Sequence, residues 1–241
     1  MMDKDALLVH LMFKTQYGSR LYGTNGPNSD TDWKYLFLPT FKDVLLGKQV
    51  LKTKFVSPNV ADKSTQVDED FVPVQKFAYD FLKGVPYAVE VAFGADGTHA
   101  EQKFVHPFFE DFVGQLRAKF LTRKLSGFLG FVNSMKFKVE KTPMSSLDFK
   151  DMYHGLRVAH QTTELLTTGT LTLPYASDVA DKLLKVKNKE VDIVVVCGDL
   201  MNAVVRMDHA LQETKLQELT PELEARFETW MVNWLKEFYG V

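Results

Sequence analysis

The spacing of apolar residues changes near residue 100, and this change sets the fold class. Before it, short apolar runs alternate with turn-forming stretches such as Thr24–Ser29. After it, apolar residues recur every three or four positions, which is typical of amphipathic helices. The helical pattern covers 107–141, 146–169, 177–188, 191–213 and 220–238. We predict an α+β chain: a small mixed sheet flanked by helices over residues 1–100, followed by a mainly helical domain over 101–241.

Three strands and two short helices are predicted within the first hundred residues. The strand patterns cover 7–13, 30–39 and 67–74, whereas 41–66 favours neither strand nor helix, with a polar loop at 61–66. A helix begins near Pro73, where the missing N–H costs little, and ends at Gly84. Pro86 begins a second helix, which contains Glu90.

Composition excludes several classes of protein. The 241 residues are 45% apolar and 25% charged, with a net charge of −2, so neither disorder nor a dedicated nucleic-acid or membrane binder is indicated. The single cysteine, Cys197, excludes an internal disulfide and a cysteine-rich zinc site, and its apolar neighbours predict a buried thiol. There is no uncharged apolar stretch of 18 residues, so we expect no membrane-spanning helix and a cytoplasmic protein.

Two carboxylates stand two positions apart in Asp30-Thr31-Asp32. On a strand such side chains point the same way, and two like charges on one face repel unless a cation lies between them. Magnesium prefers oxygen ligands of this kind and shares them with substrate phosphates. The spacing therefore predicts a divalent-cation site.

A phosphate-binding turn is predicted just upstream, at Gly18-Ser19. Glycine allows the backbone to approach a phosphate closely, and the following hydroxyl and N–H can hold phosphate oxygens. Arg20 and Lys34 could add positive charge.

A third acid for the same site is sought in Asp68-Glu69-Asp70, at the start of the third predicted strand. It would complete a two-ion site and could take the proton from an attacking hydroxyl. A solvated acidic turn is the alternative for these three residues.

The run from Gly18 to Gly23, ending in Ser29-Asp30-Thr31-Asp32, resembles the DNA-polymerase-β-like nucleotidyltransferase superfamily, in particular the predicted nucleotidyltransferases of bacteria and phages. Weaker similarity covers about three-quarters of the chain. It includes Asp68, Lys76-Phe77, Lys83-Gly84-Val85-Pro86 with Glu90, Lys150, Tyr153-His154, Arg157 and Leu165–Pro174. Val85 departs from the family pattern, which usually has asparagine there.

The resemblance implies a role for each matching residue. Asp30, Asp32 and Asp68 would be the catalytic, metal-binding acids, with Asp70 as the alternative third metal ligand. Gly18, Ser19, Arg20, Lys83, His154 and Arg157 would bind the nucleotide. Two Mg²⁺ ions, or Mn²⁺ in their place, would be the cofactors, and the nucleotide would be an NTP, with ATP or CTP expected.

The segment 117–141 is rich in basic residues. It contains seven lysines and arginines but one acid, Glu140, and phenylalanines are interleaved among them. This segment is either an RNA- or nucleotide-binding surface or an ordinary amphipathic helix. A second lysine cluster, at 182–189, favours a solvated helix face. Lys150, His154 and Arg157 share one helix face, which could hold a nucleotide or be merely polar.

The sequence thus predicts a metal-dependent nucleotidyltransferase that moves an NMP from an NTP to a hydroxyl and releases pyrophosphate. An RNA 3′ end, a protein side chain and a small molecule stay open as acceptors, with RNA slightly favoured by 117–141. One alternative is a non-catalytic nucleotide sensor, or a toxin–antitoxin or defence partner protein, with the same fold. The other is a metal-dependent phosphohydrolase.

Overall fold

The computed structural model describes residues 4–8, 10–46, 53–57, 65–94 and 104–241. Its strands are β1 (Leu11–Tyr17), β2 (Thr31–Phe37), β3 (Thr53–Val56), β4 (Val67–Pro73) and β5 (Phe104–Val105). Its helices are α1 (Lys4–Leu8), α2 (Ser19–Tyr22), α3 (Phe41–Leu45), α4 (Val74–Leu82), α5 (Pro86–Gly94), α6 (Pro107–Phe120), α7 (Ser126–Lys141), α8 (Phe149–Thr168), α9 (Ser177–Lys187), α10 (Ile193–Glu213) and α11 (Pro221–Tyr239), with a short 3₁₀ helix at Met144–Ser146.

The strands form one mixed sheet in the order β3-β4-β2-β1-β5. The central pair, β2 and β4, is parallel, and the other pairs are antiparallel. In the parallel pair Asp32 lies opposite Asp68 and Lys34 opposite Asp70. Because side chains alternate along a strand, all four project from the same face of the sheet.

The two faces of the sheet are buried by different elements. Leu36 and Val72, on the same face as the four charged residues, join the large core formed with the helices that follow. Tyr35, Phe37 and Phe71, on the other face, pack with Leu7 of α1. Hydrophobic burial therefore fixes the register of β2 and β4, and the register fixes which acids point toward the helical side.

In the helical part, helices pack closely against one another through a glycine and through aromatic rings. Gly155 of α8 faces Met135 of α7 and Leu200 of α10, and a Cβ there would lie only 3.2–3.3 Å from their side chains. Elsewhere, Phe112 of α6 packs on Trp230 and Trp234 of α11, with ring centroids 4.9 and 4.3 Å apart. In the described residues no helix combines the length and apolarity needed to cross a bilayer.

The predicted α+β class is confirmed, and the differences have local causes. Residues 7–8 end helix α1 instead of beginning a strand, so β1 starts at Leu11. The long helix expected at 107–141 is broken between α6 and α7, where Leu125 adopts φ 28°. The ambiguous segment 41–66 contains α3 and β3, and the loop expected at 61–66 lies mostly outside the described residues.

Two further predictions concern Cys197 and the domain boundary. Cys197 is buried on α10, as predicted, and burial raises the pKa of its thiol. The division at residue 100 stays a prediction. On its far side, β5 pairs with β1 and so adds residues 104–105 to the sheet.

Candidate active site

Asp30, Asp32 and Asp68 lie at the edge of the sheet where β2 and β4 begin, and we call these three residues the carboxylate edge. Burial raises the pKa of Asp32, and the negative charges of Asp30 and Asp68 raise it further. Lys34 and Lys54 oppose this shift but do not cancel it. The predicted acids are thus close enough to repel one another, which is the electrostatic condition for holding a cation.

The turn at Gly18 lies directly against Asp32. Gly18 has φ 64° and ψ −142°, a conformation that side chains rarely adopt. A Cβ at this position would be 2.3 Å from Oδ2 of Asp32. Only glycine permits this approach, so the predicted phosphate-binding turn and the predicted metal-binding acid are in direct contact.

Ser19 begins α2 immediately after the turn, and Arg20 fixes the loop that carries Asp30. The guanidinium of Arg20 donates to the carbonyl oxygens of Asp30 and Ser29, each at 3.3 Å. Arg20 therefore holds the backbone of the acidic loop, and its predicted contact with nucleotide stays a prediction.

The two candidates for the third acid have different surroundings. Asp68 accepts from Nζ of Lys54 at 2.8 Å, and the Lys54 side chain is about half exposed. Asp70 pairs with Lys34, both side chains are about nine-tenths buried, and the Lys34 ammonium also lies 4.6 Å from the ring centroid of Tyr17. The ion pair of Asp68 is thus the more solvated of the two, and Asp68 as the third acid, with Asp70 as the alternative, stays a prediction.

The chemistry of these residues fits a divalent cation. Within the described ranges, no three His, Cys, Asp or Glu side chains are already arranged to coordinate a metal ion. The donor set nevertheless fits, since the charges of Asp30 and Asp68 raise the pKa of Asp32, and carboxylate oxygens are the ligands that Mg²⁺ or Mn²⁺ prefers. Asp30, Asp32 and Asp68 are the residues that would hold it.

Helices α8 and α9 carry Lys150, His154 and Lys187, which we call the helical wall. Nζ of Lys187 donates to the carbonyl oxygen of Thr24 at 2.8 Å, and burial lowers the pKa of Lys187 while Asp30 partly restores it. Burial, Arg157 and Lys150 together lower the pKa of His154 to about 4. The wall thus carries two ammonium groups and a neutral imidazole at neutral pH.

Arg157 lies deeper than the rest of its predicted helix face. Its Nη1 donates to Oε1 of Glu90 at 2.5 Å and to Oε1 of Gln161 at 3.1 Å. Its guanidinium carbon lies 4.1 Å from the ring centroid of Tyr22, and Glu90 is fully buried. Direct contact between Arg157 and a nucleotide stays a prediction.

Lys83 and the basic segment 117–141 are the remaining predicted features. Lys83 is exposed at the end of α4, and its carbonyl oxygen accepts from Ser126 of α7 at 2.8 Å. In 117–141 several cations have protein partners, among them Arg123 with Glu218 at 3.2 Å and Lys138 with Asp151. Phe120 and Phe128 are buried, which fits an amphipathic helix, whereas Phe137 is 62% exposed. The RNA surface stays a prediction.

Sequence reasoning missed Lys187, Lys54, Tyr17 and Tyr22 as parts of the site. The sequence groups Lys187 with a solvated lysine cluster, and no spacing rule brings α9 to a loop 163 residues away. Tyr22 stands inside the Gly18–Gly23 run, so its position next to the turn was available as a signal. Its partner Arg157 required the fold.

Comparison with known proteins assigns the family. Residues 4–234 match RlaP, described as the RNA repair pathway DNA polymerase beta family. The chain belongs to this family, a polymerase-β-like nucleotidyltransferase family. The roles of the turn and of the three acids stay predictions.

Two individual proteins are similar over parts of the chain. An uncharacterized 38.9 kDa protein of Enterobacteria phage T4, from the nrdC-mobD intergenic region, is 27% identical over 142 residues. That alignment covers 56% of this chain and 40% of the phage protein's length. A nucleotidyltransferase-like protein from Exiguobacterium sibiricum has 13% identity and a TM-score of 0.34, over 87% of this chain and 71% of that one.

Proposed function

We propose that this protein transfers an NMP from an NTP to a hydroxyl acceptor, with an RNA 3′ end as the acceptor. The observation that carries the proposal is the contact of Gly18 with Asp32, since a Cβ on Gly18 would be 2.3 Å from Oδ2. This contact supports the proposal, since nucleotidyl transfer needs phosphate positioning and charge neutralisation at one point. The description of the family, which names an RNA repair pathway, supports RNA as the acceptor.

In this proposal each group has a separate role. The backbone at Gly18-Ser19 holds triphosphate oxygens, and Lys150 and Lys187 of the helical wall add positive charge on the opposite side. Asp30, Asp32 and Asp68 would hold Mg²⁺ or Mn²⁺, which when bound lowers the barrier by neutralising the triphosphate and acidifying the acceptor hydroxyl.

The reaction breaks one bond and forms another at the α-phosphorus. The acceptor oxygen attacks the α-phosphorus, the bond from that phosphorus to the bridging oxygen breaks, and pyrophosphate leaves. The proton of the hydroxyl passes to a base, and we assign this role to Asp68. Water in place of the acceptor would give hydrolysis.

The test uses the purified chain with Mg²⁺, each α-³²P-labelled NTP in turn, and an RNA with a free 3′ hydroxyl. Label should enter RNA in the wild type and be lost in Asp32→Asn, while RNA with a blocked 3′ end accepts none. Label in added protein or in a small molecule would overturn RNA as the acceptor. Magnesium-dependent nucleotide binding without transfer to any acceptor would instead favour the non-catalytic sensor.

A further inference from the structure

The phosphate-binding turn is held mainly by residues far from it in sequence. Helix α2, which follows Gly18, has only four residues, about one turn, so it has little stability of its own. Its last residue, Tyr22, and Thr24 in the loop that follows are hydrogen-bonded to residues of the helical part of the chain. The backbone N–H of Tyr175 donates to the carbonyl oxygen of Tyr22 at 3.3 Å, and Thr24 shares a hydrogen bond with Tyr153 at 2.7 Å.

The centre of this contact is an ion pair between α5 and α8. Glu90 is completely buried, and its carboxylate accepts from Nη1 of Arg157 at 2.5 Å. The same carboxylate accepts from the hydroxyls of Tyr22, at 2.9 Å, and Tyr17. Tyr17 precedes the Gly18-Ser19 turn in the sequence, and Tyr22 follows it. The pair therefore holds the turn at both ends.

Arg157 makes a second contact with the turn through its flat face. The guanidinium carbon lies 4.1 Å from the ring centroid of Tyr22, a cation–π contact in a desolvated setting where such contacts are strongest. Arg157 is 8% exposed, and its Nη1 is bound to Glu90 and Gln161. Nη1 and the guanidinium face of Arg157 are therefore already in contact with the residues that hold the turn.

We propose that Glu90 and Arg157 are positioning residues, which hold Tyr17 and Tyr22 and thereby fix the Gly18-Ser19 turn in its binding geometry against Asp32. The inference rests on the proposed function, since it assumes that the turn binds a nucleoside triphosphate. It gives the helical part a defined role, because the contact that α8 makes with Glu90 of α5 preorganises the phosphate site.

A single substitution leaves one charge buried and risks unfolding the chain, so the test uses the pair. The central variant is Glu90→Gln/Arg157→Met, which removes both charges and keeps the approximate volume. The matched control is Glu213→Gln/Arg206→Met, two exposed positions on α10. Arg157→Lys is a conservative third variant that keeps the charge but loses the flat guanidinium.

Two measurements separate positioning from a merely structural role. The first is hydrogen exchange of the backbone amides of Tyr22 and Thr24. These amides donate to the carbonyl oxygens of Gly18 and Ser19, at 3.3 and 2.9 Å respectively. The second is the split between KM for the NTP and kcat. In the folded central variant we expect exchange at these amides to be about tenfold faster while α10 amides are unchanged. In the same central variant we expect KM for the NTP to rise about tenfold, with a smaller change in kcat. The rise in KM should be smaller in Arg157→Lys, and KM and kcat should both be unchanged in the control.

Unchanged exchange at Tyr22 and Thr24 in the central variant would overturn the proposal. If that result came with weaker nucleotide binding, Arg157 would be a direct ligand, as the sequence resemblance implies. If the central variant does not fold, Arg157→Lys supplies the same two measurements. A wild-type protein that binds no NTP would defeat the proposed function, whereas the exchange result would still show whether the pair holds the turn.

Discussion

The carboxylate edge and the Glu90–Arg157 pair are two charged clusters built on opposite principles. At the edge, Asp30, Asp32 and Asp68 bring like charges together, and the pKa of Asp32 is raised by burial and by this repulsion. Behind the turn, Glu90 and Arg157 bring opposite charges together in a buried setting. Like charges gathered at a partly exposed edge oppose folding unless they are compensated, so this edge is where we propose that a cation and a substrate bind. The buried pair is compensated within the protein and serves the fold of the site.

The largest effect should come from Asp32→Asn. Because this change removes a cation ligand, we expect transfer to fall by about 10³-fold or more, which corresponds to roughly 4 kcal/mol of transition-state stabilisation. Since it also relieves repulsion from Asp30 and Asp68, the melting temperature should stay the same or rise. Activity assays and thermal unfolding check both effects. Glu69→Gln, on the opposite face of β4 where Glu69 accepts from Tyr35, is the control for activity.

Asp68 and Asp70 allow the same contrast within a single strand. We expect Asp68→Asn to impair transfer without destabilising the fold, because its partner Lys54 is half exposed. Asp70→Asn removes the carboxylate beside the buried Lys34 ammonium and should lower the free energy of unfolding by about 3 kcal/mol. Denaturant unfolding and Mn²⁺ binding separate the two. Loss of Mn²⁺ binding in a folded Asp70→Asn variant, with Asp68→Asn unaffected, would make Asp70 the third ligand.

Gly18→Ala tests the contact that joins the turn to the edge. The added Cβ must displace the Asp32 carboxylate and adopt an unfavourable φ, so we expect about a 10²-fold loss of transfer and about 1–3 kcal/mol of destabilisation. Gly26→Ala is the matched control, because a Cβ there meets nothing within 4 Å. Equal activities of the two variants would show that the close approach has no role in transfer.

Part of this organisation was predictable from the sequence. The alternation in β2 and β4 predicts that Asp32 and Asp68 share a face with Leu36 and Val72, and the structure agrees. The positive φ of the turn was signalled by Gly18 itself. These features depend on local rules of strand geometry and backbone sterics, which operate over a few residues.

The remainder depends on contacts that no local rule specifies. A Glu on α5 and an Arg on α8 stand 67 positions apart, and periodicity assigns Arg157 only to a helix face. Whether that face meets solvent, a ligand or Glu90 is decided by how α8 packs against α5 and α2. The same holds for Lys187, whose partner Thr24 lies in a loop 163 positions away. Long-range polar partners are thus the part of the site that the sequence left open.

A smaller effect is expected from Lys187→Met on the helical wall. If the two ammonium groups face the triphosphate, the loss of one should raise KM for the NTP about tenfold, or roughly 1.4 kcal/mol, with little change in stability. Lys185→Met, an exposed position on the same helix, should behave as wild type. Steady-state kinetics at two salt concentrations check this, since the effect should shrink as salt rises.

The smallest effect concerns His154, whose pKa responds to the Glu90–Arg157 pair and to Lys150. Its pKa is lowered from 6.5 to about 4 by burial, by Arg157 and by Lys150, with Asp151 and Glu90 opposing. The unfolded chain therefore binds more protons between these values, so the free energy of unfolding should fall as pH drops from 6.5 toward 4. His154→Asn should flatten that slope, measured by denaturant unfolding across this range, whereas His209→Asn at an exposed position should not. An unchanged slope in His154→Asn would mean that the imidazole is solvated and that the positive field of the wall does not reach it.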